Sequence, residues 1–261
     1  MSTTTQTEAL VTLDIEGNLA VITLNRPDKR NALSLRVVEQ LRAAFESLPD
    51  TVRVAILAGR GTHFCAGLDL SELKETTAGE GVQHSFKWYE AFSKIQFGKV
   101  PVVCAMQGAV VGGGLELASA AHVRVADETT YFGLPEGQRG IFLGGGGSVR
   151  VSKLIGFSRV TEMMLTGHVL DAQEGKAINL AHYVTSEGQA MQKARELAAR
   201  IASNAPLSNF AIMNALPLIA EQPMSHGLMT EALMASITQS APEAKERVNA
   251  FLEKRAGKVS L

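Results

Sequence analysis

Glu116 follows Gly113 by three residues in Gly108-Ala109-Val110-Val111-Gly112-Gly113-Gly114-Leu115-Glu116-Leu117, a segment that runs from an apolar stretch into a helix-forming one. Three consecutive glycines let a ligand approach the main chain closely, because no Cβ intervenes. The first N–H groups of the following helix lack internal partners, and the helix dipole favours negative charge beside them. Such a terminus suits an anion or a developing oxyanion. If Gly113 and Glu116 share a helical face, a main-chain donor and a carboxylate address one site. An acidic residue is also simply favoured in a first helical turn. Two other glycine-rich segments accompany this one: Phe64-Cys65-Ala66-Gly67-Leu68-Asp69-Leu70, and Phe132-Gly133-Leu134-Pro135-Glu136 followed by Gly144-Gly145-Gly146-Gly147.

Other chemistries find less support. The triple glycine lacks the Lys-Ser/Thr of a phosphate-binding P-loop, and Gly144 to Gly147 follows no clear strand in a G-x-G-x-x-G frame; it reads as a tight turn into a helix. The six histidines are scattered without metal-ligand spacing, and no G-x-S-x-G elbow is present. Cys65, beside Phe64, reads as a buried filler, and Cys104 as part of an apolar strand.

Alternating elements must position these segments. Leu10 to Ile15 and Leu19 to Leu24 alternate around Glu16-Gly17-Asn18, the pattern of a hairpin. Ser34 stands where an N-cap belongs, before the helical spacing of Leu35, Val38, Leu41, Phe45 and Leu48. Strands are expected at Val54–Ala58, Val100–Met106, His122–Ala126 and Thr130–Phe132. Helices are expected at Asp69–Lys74, Gln83–Phe97 and Gly113–Ala121. Strand and helix in alternation predict an α/β domain. From Ser148 onward the pattern reads as nearly all helix, with apolar faces that must pack on the chain's own core or on a neighbouring subunit.

The 261 residues allow one large domain or two small ones. Lys+Arg 25 against Asp+Glu 26, a net charge of −1, argues against a broad basic face for nucleic acid or anionic membrane. Two cysteines are too few for a disulfide framework and suit a reducing compartment. The N-terminus has neither a basic nor an apolar signal region, and no apolar stretch reaches the ~20 residues that span a bilayer. The expectation is a soluble, cytoplasmic protein.

In order along the chain, Asn25-Arg26-Pro27-Asp28-Lys29-Arg30-Asn31-Ala32-Leu33-Ser34, the Phe64–Leu70 segment, Pro101 to Ala118 and Phe132–Glu136 resemble the crotonase, or enoyl-CoA hydratase/isomerase, superfamily. The resemblance spans about residues 10 to 170, and the helical tail fits. It implies a spiral core of repeated β–β–α units, here 1–195, and a C-terminal helical trimerisation or lid region, 196–261. It also implies homotrimers, often paired into hexamers, and an acyl-CoA substrate with no metal or separate cofactor. The thioester oxygen would accept from the Leu68 and Gly113 amides. The Ala66 carbonyl would meet the adenine amino group, Arg30 the CoA phosphates, and Asp69 and Leu70 would line the pantetheine path by backbone position. Glu116 and Glu136 match the two glutamates of the hydratase branch, with Glu116 chiefly activating water and Glu136 chiefly protonating Cα. Leu68 stands where many hydratases have Ala, and Leu143 where many relatives have Pro. Phe142 and Trp88 are placed at the border of the acyl pocket. Isomerase, hydratase-lyase or hydroxyacyl-CoA hydrolase chemistry, and a non-catalytic CoA- or RNA-binding role, stand as alternatives.

Overall fold

The hairpin forms as β1 (Val11–Glu16) and β2 (Leu19–Leu24), antiparallel from Val11 opposite Leu24 to Glu16 opposite Leu19. Its turn passes through Gly17 at φ +63°. Ser34 caps α1 (Leu35–Glu46) by accepting from the Val37 amide, and Val37, Val38, Leu41 and Phe45 face the core. Then come β3 (Val54–Gly59), α2 (Ala78–Gln96), β4 (Val102–Met106), β5 (Ala109–Val111), α3 (Gly113–Ser119), β6 (Val123–Asp127) and β7 (Tyr131–Gly133). The chain continues with α4 (Gly147–Ile155), α5 (Phe157–Thr166), β8 (Val169–Asp171), α6 (Ala172–Ala177), β9 (Tyr183–Thr185), α7 (Ala190–Ala202), α8 (Pro206–Glu221), α9 (Met224–Ser240) and α10 (Pro242–Leu252). The computed structural model describes residues 9–72 and 77–255.

Six strands form one sheet in the order β1-β2-β3-β4-β6-β9, all parallel except the β1–β2 pair. A second sheet joins β5, β7 and β8. The larger sheet is covered on both faces, so its central strands read as continuous apolar runs. Val54, Ile56 and Ala58 of β3 pack with Val103, Ala105 and Val125 against Ala190, Ala194, Leu197 and Ala198 of α7. The alternate residues Ala55, Leu57, Val102, Cys104 and Met106 join the core that includes α1 and α2. The α/β expectation therefore holds, and the glycine-rich segments leave the carboxyl ends of parallel strands, where open α/β sheets place their ligands.

Three features differ from the expectation. α2 starts at Ala78, not Gln83, on a capping box in which Thr77 and Glu80 satisfy each other's amides; Gly79 and Gly81 hide this turn from an apolar-spacing reading. The region after Ser148 is not all helix. β8 and β9 interrupt it, and these three-residue strands, like β5, are too short to show alternation. The expected helix Asp69–Lys74 is a single 3-10 turn over Leu70–Glu72, and Leu73 and Lys74 lie outside the described residues.

The chain divides into two compact units, 1–202 and 203–261. The division at 195/196 would cut α7, which belongs to the first unit because its apolar face covers the sheet. Within the second unit α8 and α9 pack closely enough that a Cβ on Gly227 would come 3.2 Å from the Ile219 carbonyl oxygen.

Candidate active site

Main-chain hydrogen bonds fix the loop after β3 between two neighbours. The Leu33 amide donates to Gly67 O (2.7 Å) and the Asp69 amide to Leu33 O (2.9 Å). On the other side, the Cys65 amide donates to Ala109 O (2.9 Å) and the Val111 amide to Cys65 O (3.1 Å). Gly67 adopts φ +96°, and a Cβ there would stand 2.7 Å from Val111 O and 3.3 Å from Gly113 N. The two loops consequently bring the Leu68 and Gly113 amides side by side: a Cβ on Gly113 would lie 3.4 Å from Leu68 N. Neither amide donates to another group among the described residues. The Trp88 indole closes one side, since the same Cβ would come 2.9 Å from Trp88 Cζ3.

Both sequence-predicted glutamates are buried, at 4% and 6% exposure. Glu116 projects from the first turn of α3. Its Oε1 accepts from the Gly145 and Gly147 amides, each at 2.8 Å. Burial pushes its pKa up, while those amides and the Arg150 charge pull against the rise. Glu136 sits just after β7, and a Cβ on Gly112, the residue before α3, would stand 2.7 Å from Glu136 Oε1. Its Oε2 is buried without a protein partner among the described residues. Burial, helped by the Glu116 charge, raises Glu136 from 4.5 to about 7. Two carboxyl groups with different surroundings thus adjoin the Gly112–Gly113 turn, Glu116 from α3 and Glu136 against Gly112, and such a pair is suited to moving protons.

The remaining predicted residues are placed as follows. Ala66 donates its amide to Arg30 O (3.0 Å), which ties the two loops together, and Arg30 itself is exposed at φ +49°. Asp69 is engaged by its side chain: Oδ2 meets Arg26 at 3.0 Å, and Oδ1 accepts from the Ser71 hydroxyl at 2.6 Å. Those contacts hold its carboxyl below the ordinary range, the Ser71 hydrogen bond foremost. Leu70 is 44% exposed. Trp88 does border the site, whereas Phe142 is 71% exposed. Leu143 is buried.

Sequence reasoning missed the purpose of Gly144 to Gly147. The run is a turn into α4, as expected, but two of its amides grip Glu116. A Cβ at Gly147 would come 2.5 Å from Glu116 Cγ, so the carboxylate is held by backbone that only glycine can bring this close. Asn31, at φ +55°, was missed as well; its Nδ2 donates to Arg60 O and His63 O, and its Oδ1 accepts from the Arg26 amide. Neither role has a residue-type signal beyond the glycines themselves. Three of the six histidines bind backbone instead: His63 Nδ1 accepts from Ala109, His122 Nδ1 from Val102 and His182 Nδ1 from Arg124. Among the described residues no group of three or more His, Cys, Asp or Glu is placed to hold a metal, and no helix is long and apolar enough to cross a membrane.

Comparison with known proteins gives concordant results. Residues 14–259 match the family model described as enoyl-CoA hydratase/isomerase. YngF of Bacillus subtilis, an enoyl-CoA hydratase/isomerase by name, is 37% identical over 251 residues, covering 91% of this chain and 93% of that protein. The short-chain-enoyl-CoA hydratase of Clostridium acetobutylicum is 32% identical over 248 residues, covering 94% and 95%. A crystal structure from Rhodopseudomonas palustris CGA009, named as an enoyl-CoA hydratase, superposes with a TM-score of 0.92 at 51% identity over 96% of this chain and 97% of that one.

Proposed function

The chain belongs to the enoyl-CoA hydratase/isomerase family, and from that premise we propose that it adds water across the 2,3 double bond of a 2-enoyl-CoA thioester. The observation that carries the reading is a pair of buried carboxyl groups, Glu116 on the helix that Gly113 begins and Glu136 against Gly112, beside Leu68 and Gly113 amides that donate to no other group among the described residues. Hydration of a conjugated thioester passes through an enolate-like transition state with charge on the thioester oxygen. Two preorganised amides suit that oxygen, and one such donor is worth about 3 kcal/mol of barrier. Their preorganisation rests on the loop-to-loop hydrogen bonds at Cys65 and Leu33.

The carboxyl environments divide the proton work. Glu116 carries two amides on one oxygen, which support its charged form against the burial that opposes it, and is assigned to take a proton from the water that adds at Cβ. Glu136, raised to about 7, keeps a substantial protonated fraction at neutral pH and is assigned to deliver that proton to Cα. The coupled pair then exchanges roles in dehydration, and its two apparent pKa values belong to the pair. In this reading Ala66, Arg30, Asp69 and Leu70 line the CoA path, and coenzyme A enters as part of the substrate. The reading extends to a cytoplasmic homotrimer or hexamer. It is supported by the exposed Val149 of α4 and Phe157 and Leu165 of α5, apolar side chains that an assembly would cover; light scattering tests it.

The test of function is loss of conjugated-thioester absorbance with crotonyl-CoA and longer 2-enoyl-CoAs, with the product identified by mass. Addition of one water is expected, with both Glu116→Gln and Glu136→Gln reduced by about 10² to 10⁴. Full activity in either variant, or a product of unchanged mass, would overturn this assignment.

A further inference from the structure

Arg150 lies on α4 outside the pair of glutamates and is half-buried. Its Nη1 donates to the Gly145 carbonyl at 3.0 Å, and its Nε donates to Gln96 Oε1 at 2.6 Å. A Cβ on Gly146, which adopts φ +91°, would fall 2.4 Å from Arg150 Nη1, so the guanidinium lies directly on the turn. Gly145 is thereby held from both sides: its carbonyl by Arg150, its amide by Glu116 Oε1. Gln96, at the end of α2, is itself anchored, since its carbonyl receives His122 Nε2 at 3.0 Å. The contacts form one continuous line from His122 through Gln96, Arg150 and Gly145 to Glu116.

We propose that Arg150, braced by Gln96, is a positioning residue that holds the Gly145–Gly147 turn in the shape that grips Glu116, and so fixes both the aim and the charge of that carboxylate. A planar guanidinium has two donor edges in fixed relation, which a lysine ammonium on a flexible stem does not reproduce. The charged and titratable groups facing this network are few. Arg150 faces Glu116 from α4, Tyr89 acts on Arg150 from α2, and Glu136 approaches from the turn after β7. The inference rests on the reading of Glu116 as an acid–base group, but its test does not need turnover.

The experiment compares the full-length wild type with Arg150→Met, Arg150→Lys and Gln96→Leu. Each is titrated by carboxyl ¹³C NMR of the Glu116 resonance, assigned by its loss in Glu116→Gln, and assayed with crotonyl-CoA. Arg150→Met is expected to raise the Glu116 titration by about one pH unit. It is also expected to lower kcat about tenfold to a hundredfold with KM nearly unchanged. Arg150→Lys keeps the charge without the two-edged geometry, so it should recover part of the titration and part of kcat, and Gln96→Leu should move both readouts in the Met direction by less. If Arg150→Met does not fold, the Lys and Leu variants decide alone. An unmoved Glu116 titration, or a lysine variant no better than methionine, overturns the proposal. A wild type that hydrates no enoyl thioester strikes the hydratase reading, and the titration still decides this one.

Discussion

Replacing Glu136 by Gln separates what the site costs in stability from what it does. The folded protein keeps this carboxyl at 6% exposure and raises its pKa to about 7, burial acting first and the Glu116 charge adding to it. In the unfolded chain the same group titrates near 4.5. A folded pKa above the unfolded one means that stability is fully present below 4.5 and is lost as pH climbs to 7. The linkage relation puts that loss at about 1 kcal/mol at pH 5 and about 3 kcal/mol at pH 7, nearly level above. Gln cannot ionise and carries no such loss. The stability of Glu136→Gln minus that of the wild type should therefore grow by about 2 kcal/mol from pH 5 to pH 7 and stay level beyond pH 8. The pH dependence, not the absolute difference, is the quantity to read, because the amide brings a constant offset of its own. Urea unfolding of both proteins at equal concentration across pH 5 to 9 measures it, equal concentration removing any effect of assembly. Curves that run parallel from pH 5 to pH 8 would refute the reasoning, for they would mean that Glu136 ionises in the folded protein as it does in solution.

Three other outcomes follow from the same geometry. Gly113→Ala places a Cβ 2.9 Å from Trp88 Cζ3 and 3.1 Å from Cη2; kcat for crotonyl-CoA should fall about a hundredfold, and Trp88→Ala in the same chain should recover part of it, read in a double-mutant cycle. Asn31→Ala removes three hydrogen bonds from a buried residue at φ +55° and should destabilise by about 3 kcal/mol, seen as a lowered Tm. Burial pushes the Cys65 thiol to about 12 and Cys104 higher still, so neither should react with a disulfide reagent in the native protein while both react in urea; prompt native labelling would contradict that burial.

The sequence was legible wherever side chains carry the signal. Apolar alternation located β1 and β2, helical spacing located α1, and the pair Glu116 and Glu136 marked the two carboxyl groups that the fold brings to one place. It was less legible where structure is made by the main chain. α2 begins five residues early because a capping box, not an apolar face, starts it. β5 contributes only three residues, yet its hydrogen bonds to Cys65 fix the loop that presents Leu68. The resemblance places Asp69 along the ligand path by backbone position only, and its side chain is taken up by Arg26 and Ser71. The Ser71 contact is local, but Arg26 lies forty-three positions away, which local reading does not reach.

The two glycine runs show why residue type alone could not assign them. Both bring backbone against a neighbour at distances no Cβ would permit, and both offer N–H groups at the start of a helix. In Gly145 to Gly147 those donors are committed to Glu116, and the turn is part of the scaffold. At Gly113 the donor is left unused beside that of Leu68, a state that costs free energy unless a ligand or solvent accepts from it. A fold that satisfies one glycine turn with its own carboxylate and leaves the other open has sorted identical chemistry into support and reception. Glu116 is turned toward Gly145 and Gly147 and satisfies that turn, while among the described residues the Gly113 amide donates to no protein group.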